Sequence, residues 1–161
     1  MAELKDVMAY IIANYPFKGE LSNARLTKMV YLTDWKNTLI VGKQITNINW
    51  RFVDFGPFVR DIQDTASDYK NIFNSVDTTN QFGVKKLLIT LNDQNYQPNL
   101  TTEEKKVINH VIEKTKRLNW NDFIRLIYST YPILKSERYS SLDLVKFAQE
   151  YQANNCSSDP V

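Results

Sequence analysis

The sequence predicts a mainly α protein of α+β class: a single helical domain around a central helix, with a small antiparallel β-sheet or hairpin. Three observations carry that expectation. Apolar residues recur at helical spacing through most of the 161 residues, as faces buried against a shared core require. The stretch RLTKMVYLTDWKN, Arg25 to Asn37, is apolar on two sides when wound as a helix: Leu26, Met29, Val30, Thr33 and Asn37 form one stripe, Leu32, Trp35 and Leu39 the other. A surface helix needs only one stripe, so this helix belongs at the centre of the domain. Finally, the period drops to two at Ile48, Trp50 and Phe52, and two short β-rich runs follow later. The chain is long enough to bury a core without metal or disulfide support, and 43% hydrophobic with 24% charged residues are the proportions of a globular domain.

In chain order, the first helix carries Leu4, Val7, Met8, Ile11 and Ile12 on one face and stops at NYPFKGE, where Pro16 and Gly19 break it. The central helix begins at Ser22 or Asn23, either of which can cap its free N–H groups, and runs to Val41, with Gly42 as a C-terminal stop. A strand follows in which Ile48, Trp50 and Phe52 alternate with Asn49, Arg51 and Val53. Gly56-Pro57 breaks it. Because Pro in a first helical turn forfeits no hydrogen bond, a third helix is expected from Pro57 to about Ser67, anchored by Phe58, Val59 and Ile62. NIFNSVDTT and VKKLLITLND then form a hairpin around NQFG, open to pairing with the Trp50 strand. Thr101 and Glu104 have capping-box spacing and open a helix over Thr102 to Leu118, with Val107, Ile108, Val111, Ile112 and Leu118 on one side. Asn119 and Asp122 open the next, whose apolar side is Trp120, Phe123, Ile124, Ile127 and Tyr128, and Pro132 ends it. Ser140 or Ser141 caps the last helix, with Leu142, Val145, Phe147 and Ala148 inward. The domain is expected to span residues 1–151, with 152–161 a polar, disordered tail.

Composition and motifs narrow the chemistry. A net charge of +2 is far from the concentrated positive field that nucleic-acid binding needs, so a nucleic-acid partner is not supported. The lysines near residues 85, 105 and 116 read as solvated faces and as complements to a helix C-terminus. The single cysteine, Cys156, cannot form an intramolecular disulfide or a thiolate zinc cluster, and points to a reducing cytoplasm. No run is apolar enough to span a bilayer, and no membrane role is expected. His110, the only histidine, sits on a helix whose other side is apolar and is expected to face solvent. With no second histidine, no GxSxG elbow and no glycine upstream of Gly42-Lys43 at phosphate-loop spacing, nucleophilic catalysis and nucleotide binding lack their parts. Spacing alone does not arrange Asp34, Asp54 and Asp61 into an acid–base pair. The expectation is a protein that is not an enzyme and needs no cofactor or metal.

Between the two stripes of the central helix lie Lys28, Tyr31 and Asp34. One reading makes Lys28 and Asp34 a seam between packed neighbours, with Lys28 snorkelling to water and Asp34 accepting a hydrogen bond from a neighbouring loop. The other makes them part of a recognition or catalytic site. They also belong to a longer ordered set: Leu26, Lys28, Tyr31, Leu32, Asp34 and Trp35, then Gly42, Ile45 and Thr46, then Trp50 and the FGPFV turn at Gly56-Pro57. From about Arg25 to Val59 this set resembles the hallmark of the Panacea domain, the SocA-like antitoxin family. That hallmark is a helix of L-x-K-L-x-Y-hydrophobic-x-D type, a G-x-x-I-T loop and an aromatic strand entering G-P. From Thr101 to about Tyr151 the chain is similar to the family only in its helical layout and in the apolar FIRLIYSTYP helix. Tyr128 and Ser129 stand where relatives often carry a histidine or an acidic residue.

The resemblance implies an antitoxin of a bacterial or prophage toxin–antitoxin system, a cytoplasmic protein of phage defence. It would neutralise a cognate protein toxin, encoded by a neighbouring gene, through direct protein–protein binding in a hetero-oligomer. Toxins of such systems include translation-inhibiting, alarmone-synthetase-like nucleotidyl or pyrophosphoryl transferases and membrane-active peptides, and one branch of the family presents its toxin to a protease. A DNA-binding transcriptional regulator or a protease adaptor is the alternative. Interfaces concentrate aromatic and Arg anchors, so the candidate recognition element is the strand and turn from Trp50 to Arg60. Arg51 and Arg60 are its anchors toward an acidic or phosphate-binding patch, Trp50 and Phe52 its aromatic residues, and Gly56 and Pro57 shape the turn. Lys28, Tyr31 and Asp34, which match the family pattern, would hold that turn from below.

Overall fold

A computed structural model describes residues 1–154 and 159–161, and among them seven α-helices accompany two separate two-stranded antiparallel sheets. Helix α1 (Leu4–Asn14) buries Val7, Met8, Ile11 and Ile12 and is joined through a short 3-10 turn, Lys18–Glu20, to α2 (Asn23–Val41). α2 starts where Ser22 Oγ accepts from the Arg25 amide at 3.2 Å, and ends where Gly42 takes a left-handed φ of 82° and donates back to Thr38 O. Every residue from Arg25 to Trp35 is buried, so both apolar stripes and the polar seam between them are covered. The neighbours that cover them are α1, α3 (Asp61–Asp68), α4 (Thr102–Thr115) and α7 (Leu144–Ala153), together with strands described next. The helix is central, as its two-sided pattern requires.

After the Trp50 stretch the chain departs from expectation. Alternating burial holds from Ile48 to Phe52, but Pro57 does not open a helix. Gly56–Phe58 is strand β2, paired antiparallel with β1 (Arg51–Val53) through Arg51↔Phe58, Phe52↔Pro57 and Val53↔Gly56, and α3 starts only at Asp61. The reason lies on the other edge of β1. There the Phe52 amide donates to Ser140 O at 2.9 Å, the Leu142 amide to Trp50 O at 2.9 Å, and the Tyr139 amide to Phe52 O. Phe52 thus directs its backbone groups away from β2, and Phe52↔Pro57 is a non-hydrogen-bonded pair. The N–H that Pro57 lacks would have pointed out of the sheet, where its absence costs nothing. The second hairpin, β3 (Phe73–Thr79) with β4 (Lys85–Leu91), forms as expected but does not pair with the Trp50 strand. β4 is bridged instead to the segment before α2, at Ser22↔Leu88, with the Ile89 amide donating to Leu21 O at 3.2 Å.

Downstream, the capping box of α4 is complete: Thr101 Oγ1 accepts from the Glu104 amide at 3.1 Å, and Glu104 Oε1 accepts from the Thr101 amide at 2.8 Å. α4 ends at Thr115, short of Leu118, and Arg25 Nη2 takes up the carbonyls of Thr115 and Leu118 there (3.1 and 2.9 Å). Asn119 caps α5 (Trp120–Tyr128). Pro132 does not end α5; it lies in the first turn of the short α6 (Tyr131–Leu134), where a missing N–H is harmless. Neither Ser140 nor Ser141 caps α7, because residues 139–142 pair with β1. Asp143 does so, with its side chain accepting from the Lys146 amide, and Leu144 rather than Val145 faces inward. His110 does not face solvent freely: it is half-buried, its Nε2 3.0 Å from Val161 O. Asp159 and Val161 lie against α2, where Trp35 Nε1 donates to Asp159 Oδ2 at 2.9 Å and Lys36 Nζ to Val161 O at 3.1 Å. Residues 155–158 of the expected tail, Cys156 included, lie outside the described residues. Among the described residues, no helix is long and apolar enough to cross a membrane.

Replacing Thr101 by Ala removes the oxygen that satisfies the Glu104 amide and should cost about 1 kcal/mol, which thermal unfolding would register as a Tm lower by about 2–4 °C in a chain of this size.

Candidate functional site

The seam residues of α2 have separate tasks. Asp34 is fully buried, and its carboxylate accepts hydrogen bonds along the loop that leads from α2 to β1. Oδ1 accepts from the amides of Ile45 (3.0 Å) and Thr46 (2.9 Å); Oδ2 accepts from Thr46 Oγ1 (2.5 Å) and from the indole Nε1 of Trp50 (2.9 Å). Gln44 closes the same loop by donating to Thr46 O and Ile48 O. Burial pushes the Asp34 carboxyl up to about 6, against the pull of its donors from Thr46, Trp50 and Ile45, so it is ionised at neutral pH. This is the seam reading for Asp34: a carboxylate accepting from a neighbouring loop.

Lys28 is almost wholly enclosed by its neighbours. Only 2% of it is exposed, and among the described residues it has neither a carboxylate nor a hydrogen-bond acceptor. Its Nζ stands 5.8 Å from the centroid of the Phe58 ring, and its Cε is 3.8 Å from the place a Gly56 Cβ would occupy. Burial pulls its ammonium down to about 8. Tyr31 donates to or accepts from Thr130 Oγ1 at 2.8 Å, and its ring meets Trp50 edge-on at 5.6 Å. Gly56 has φ 106°, and a Cβ there would come within 3.4 Å of Ile127 Cγ2 and 3.7 Å of Tyr128 Cε2. The β1–β2 hairpin therefore lies flush on α5 and on Lys28, at a position where only glycine combines the backbone angle with the close approach.

The structure divides the sequence-predicted site residues into two groups. Lys28, Tyr31, Asp34, Trp50, Phe52, Gly56 and Pro57 are all buried beneath or within the hairpin, while Arg51 and Arg60 reach solvent. Two further surface residues emerge. Phe55, in the two-residue turn between β1 and β2, is 73% exposed, and Tyr139, at φ 70°, is 62% exposed. Arg51 Nη2 donates to Tyr139 O at 2.9 Å, and the Tyr139 hydroxyl donates to Asp54 Oδ1. Arg138 lies beside the Tyr128 hydroxyl. A signal for Phe55 existed in the sequence, since an aromatic between a strand and Gly-Pro sits at a turn with no core to face. Tyr139 had none, because the pairing of residues 139–142 with β1 spans more than eighty positions of sequence.

The fold and site define a single helical domain whose central helix carries a buried polar seam and which presents a short, rigidly backed hairpin at its surface. A family profile described as Antitoxin SocA-like, Panacea domain matches residues 26–132, from the second apolar position of α2 to Pro132 in α6. The chain belongs to that family. Membership supports an antitoxin role in general and implies a toxin partner in general. No curated protein and no solved structure matches the chain.

Two expectations about stability follow from the seam. Asp34→Ala strands the amides of Ile45 and Thr46 and the Trp50 indole, and should cost about 3–5 kcal/mol in urea unfolding, whereas Lys28→Met removes an uncompensated buried charge and should raise stability by about 1–3 kcal/mol. The folded state holds Lys28 near 8 against an ordinary 10.5, so the unfolded chain binds more protons between those values and stability should rise from pH 8 to pH 10. Asp34 works in the other sense: folded near 6 against 3.8, its contribution is present below pH 3.8 and is lost as pH rises through 6. Unfolding free energies measured across pH 4–10 should show both limbs, and Lys28→Met should flatten the alkaline one.

Proposed function

We propose that this chain neutralises a cognate protein toxin by direct contact, and that the β1–β2 hairpin with the adjoining segment around Tyr139 is the contacting face. The toxin is encoded by a neighbouring gene, the two proteins meet in the cytoplasm, and they form a stable hetero-oligomer. The observation that carries the reading is the exposure of Phe55, 73%, at the tip of a hairpin backed on three sides. Asp34 holds the loop entering β1, residues 139–142 pair with its outer edge, and α5 packs under Gly56. An aromatic tip on a rigid support, flanked by Arg51, Arg60 and Arg138, has the composition of an interface centre. Because the support is already ordered, binding has little loop entropy to lose. Lys28, Tyr31 and Asp34 are positioning residues in this scheme, since each acts on the hairpin through what it touches.

Coexpression with the neighbouring gene product tests both parts. The wild-type chain should restore growth and copurify with the toxin. A Phe55→Ala, Arg60→Glu double variant, altered only at exposed positions, should keep its fold and lose about tenfold or more in affinity, with loss of rescue. Full binding and rescue by the double variant would place the contact elsewhere, and a wild-type chain that neither binds nor rescues would refute the antitoxin reading for that pair.

A further inference from the structure

Away from the hairpin face, a groove of about 700 Å³ opens between β4, the start of α2 and the start of α5, with Arg25, Val84, Lys85, Leu87 and Trp120 among its walls. One wall is the edge of a strand without a neighbour. In the β3–β4 ladder the Asn80 amide donates to Val84 O (2.9 Å) and the Asn92 amide to Ile72 O (2.7 Å). With the register running from Phe73↔Leu91 to Thr79↔Lys85, the even-numbered residues are the ones bonded across the ladder. Lys85, Leu87 and Ile89 therefore turn their N–H and C=O groups to the outside of β4. Ile89 meets Leu21 O there, because Leu21 and Ser22 occupy the third-strand position for that short length. At Asn23 the chain leaves the sheet as α2. The third-strand position beside Leu87 and Lys85 is left open, and it is the groove.

The groove is also short of negative charge. Arg25, Lys85 and Lys86 face Glu20, the one carboxylate residue among its walls. Arg25 is 3% exposed; its Nη2 donates to two carbonyls, but among the described residues its Nε has no hydrogen-bond partner and the side chain forms no ion pair. The first turn of α2, which also borders the groove, holds no acidic residue, so the positive end of that long helix is uncompensated. Val84 and Trp120, 59% and 43% exposed, form an apolar rim.

We infer that this groove docks an extended, acidic segment of a partner protein, which adds to β4 as a third strand beyond the point where Ser22 leaves it. The guest backbone accepts from the amides of Leu87 and Lys85, a guest carboxylate sits toward Arg25 and Lys85, and an apolar guest side chain covers Trp120 and Val84. The site is independent of the hairpin face, and either stands if the other fails.

Short random peptides displayed on phage, selected against the full chain, test it. Recovered peptides are resynthesised with blocked ends and titrated by fluorescence anisotropy into the wild type, Lys85→Glu and Leu87→Pro. Leu87→Pro removes an outward N–H without touching the β3–β4 ladder. Recovered peptides should be rich in Asp, Glu and β-formers, bind about tenfold or more weakly to each variant, and shift the backbone amide signals of Lys85 and Leu87 in NMR spectra. Recovery of neutral or basic peptides, equal binding to the variants, shifts confined to other residues, or no recovered binder at all would overturn the inference. Self-association abolished by Lys85→Glu would assign the groove to a second copy of the chain and equally overturn it. If Leu87→Pro does not fold by circular dichroism, the exposed Lys85→Glu decides alone.

Discussion

One buried carboxylate ties the surface of this protein to its centre. Asp34 receives five donors within the seven residues from Gln44 to Trp50: the Gln44 amide group, the Ile45 amide, the Thr46 amide and hydroxyl, and the Trp50 indole, and the loop between Gly42 and Trp50 contains no helix or strand of its own. Backbone amides in such a loop need partners once buried, and hydrogen bonds to a charged acceptor are the stronger kind, contributing roughly 1.5–3 kcal/mol each. The consequences propagate in sequence. Trp50, fixed by its indole, packs edge-on against Tyr31 and sets where β1 begins. β1 then pairs on one side with β2 and on the other with residues 139–142. Without the carboxylate the Ile45 and Thr46 amides and the Trp50 indole lose their acceptor, while the β1–β2 pairing keeps its own bonds.

A helix can be central only if it brings few unmet polar groups with it. In α2 the hydroxyls of Thr27, Thr33 and Thr38 each donate to the carbonyl four residues earlier, and Tyr31 is satisfied by Thr130. Arg25, near the helix start, closes the end of α4 and lies over the rings of Tyr15 and Phe123, so one side chain links three elements. These bonds explain why a segment with threonines, an arginine, a lysine and an aspartate tolerates burial from Arg25 to Trp35. Lys28 is the departure from that economy: its stem packs under Gly56 while its ammonium has no acceptor among the described residues.

What the sequence revealed follows the range of the interactions involved. Local signals are legible because their chemistry lies within a few residues: the cap at Ser22, one of two candidate positions, the Gly42 stop, the Thr101–Glu104 box, the Asn119 cap and the alternation from Ile48 to Phe52. Pro57 and Pro132 misled for one shared reason. Proline states only that an N–H is missing, and a helix start and an outward-facing strand position tolerate that equally. The bond from Phe52 to Ser140, which decides for the strand, is invisible to any local pattern, and it also displaced the expected cap from Ser140 or Ser141 to Asp143. At the site, the polar seam was legible from its place between two apolar stripes, but which seam residue is paired and which is not depends on the approach of a loop and a hairpin. Phe55 and Tyr139 stand out only once a tertiary surface exists.

The unmet charges have a common sign and a common placement. The buried carboxylates have donors, Asp34 from its loop and Asp6 from the Tyr96 hydroxyl, whereas among the described residues the two buried cations are not matched by carboxylates: Lys28 under the hairpin and Arg25 beside the β4 groove. Asp34 and Lys28 are six residues apart, about 9 Å along the axis and on different sides of α2, so geometry keeps them from neutralising each other. Stability alone would favour an apolar residue at position 28, and departures from local consistency tend to gather where a protein does its work. Both departures here stand next to surfaces with exposed aromatic and basic side chains, Phe55 with Arg51 and Arg60 at one and Trp120 with Lys85 at the other. A partner with carboxylates in reach of those surfaces would supply what the fold itself leaves out, which is a physical reason for a small helical domain to keep two cations in its interior.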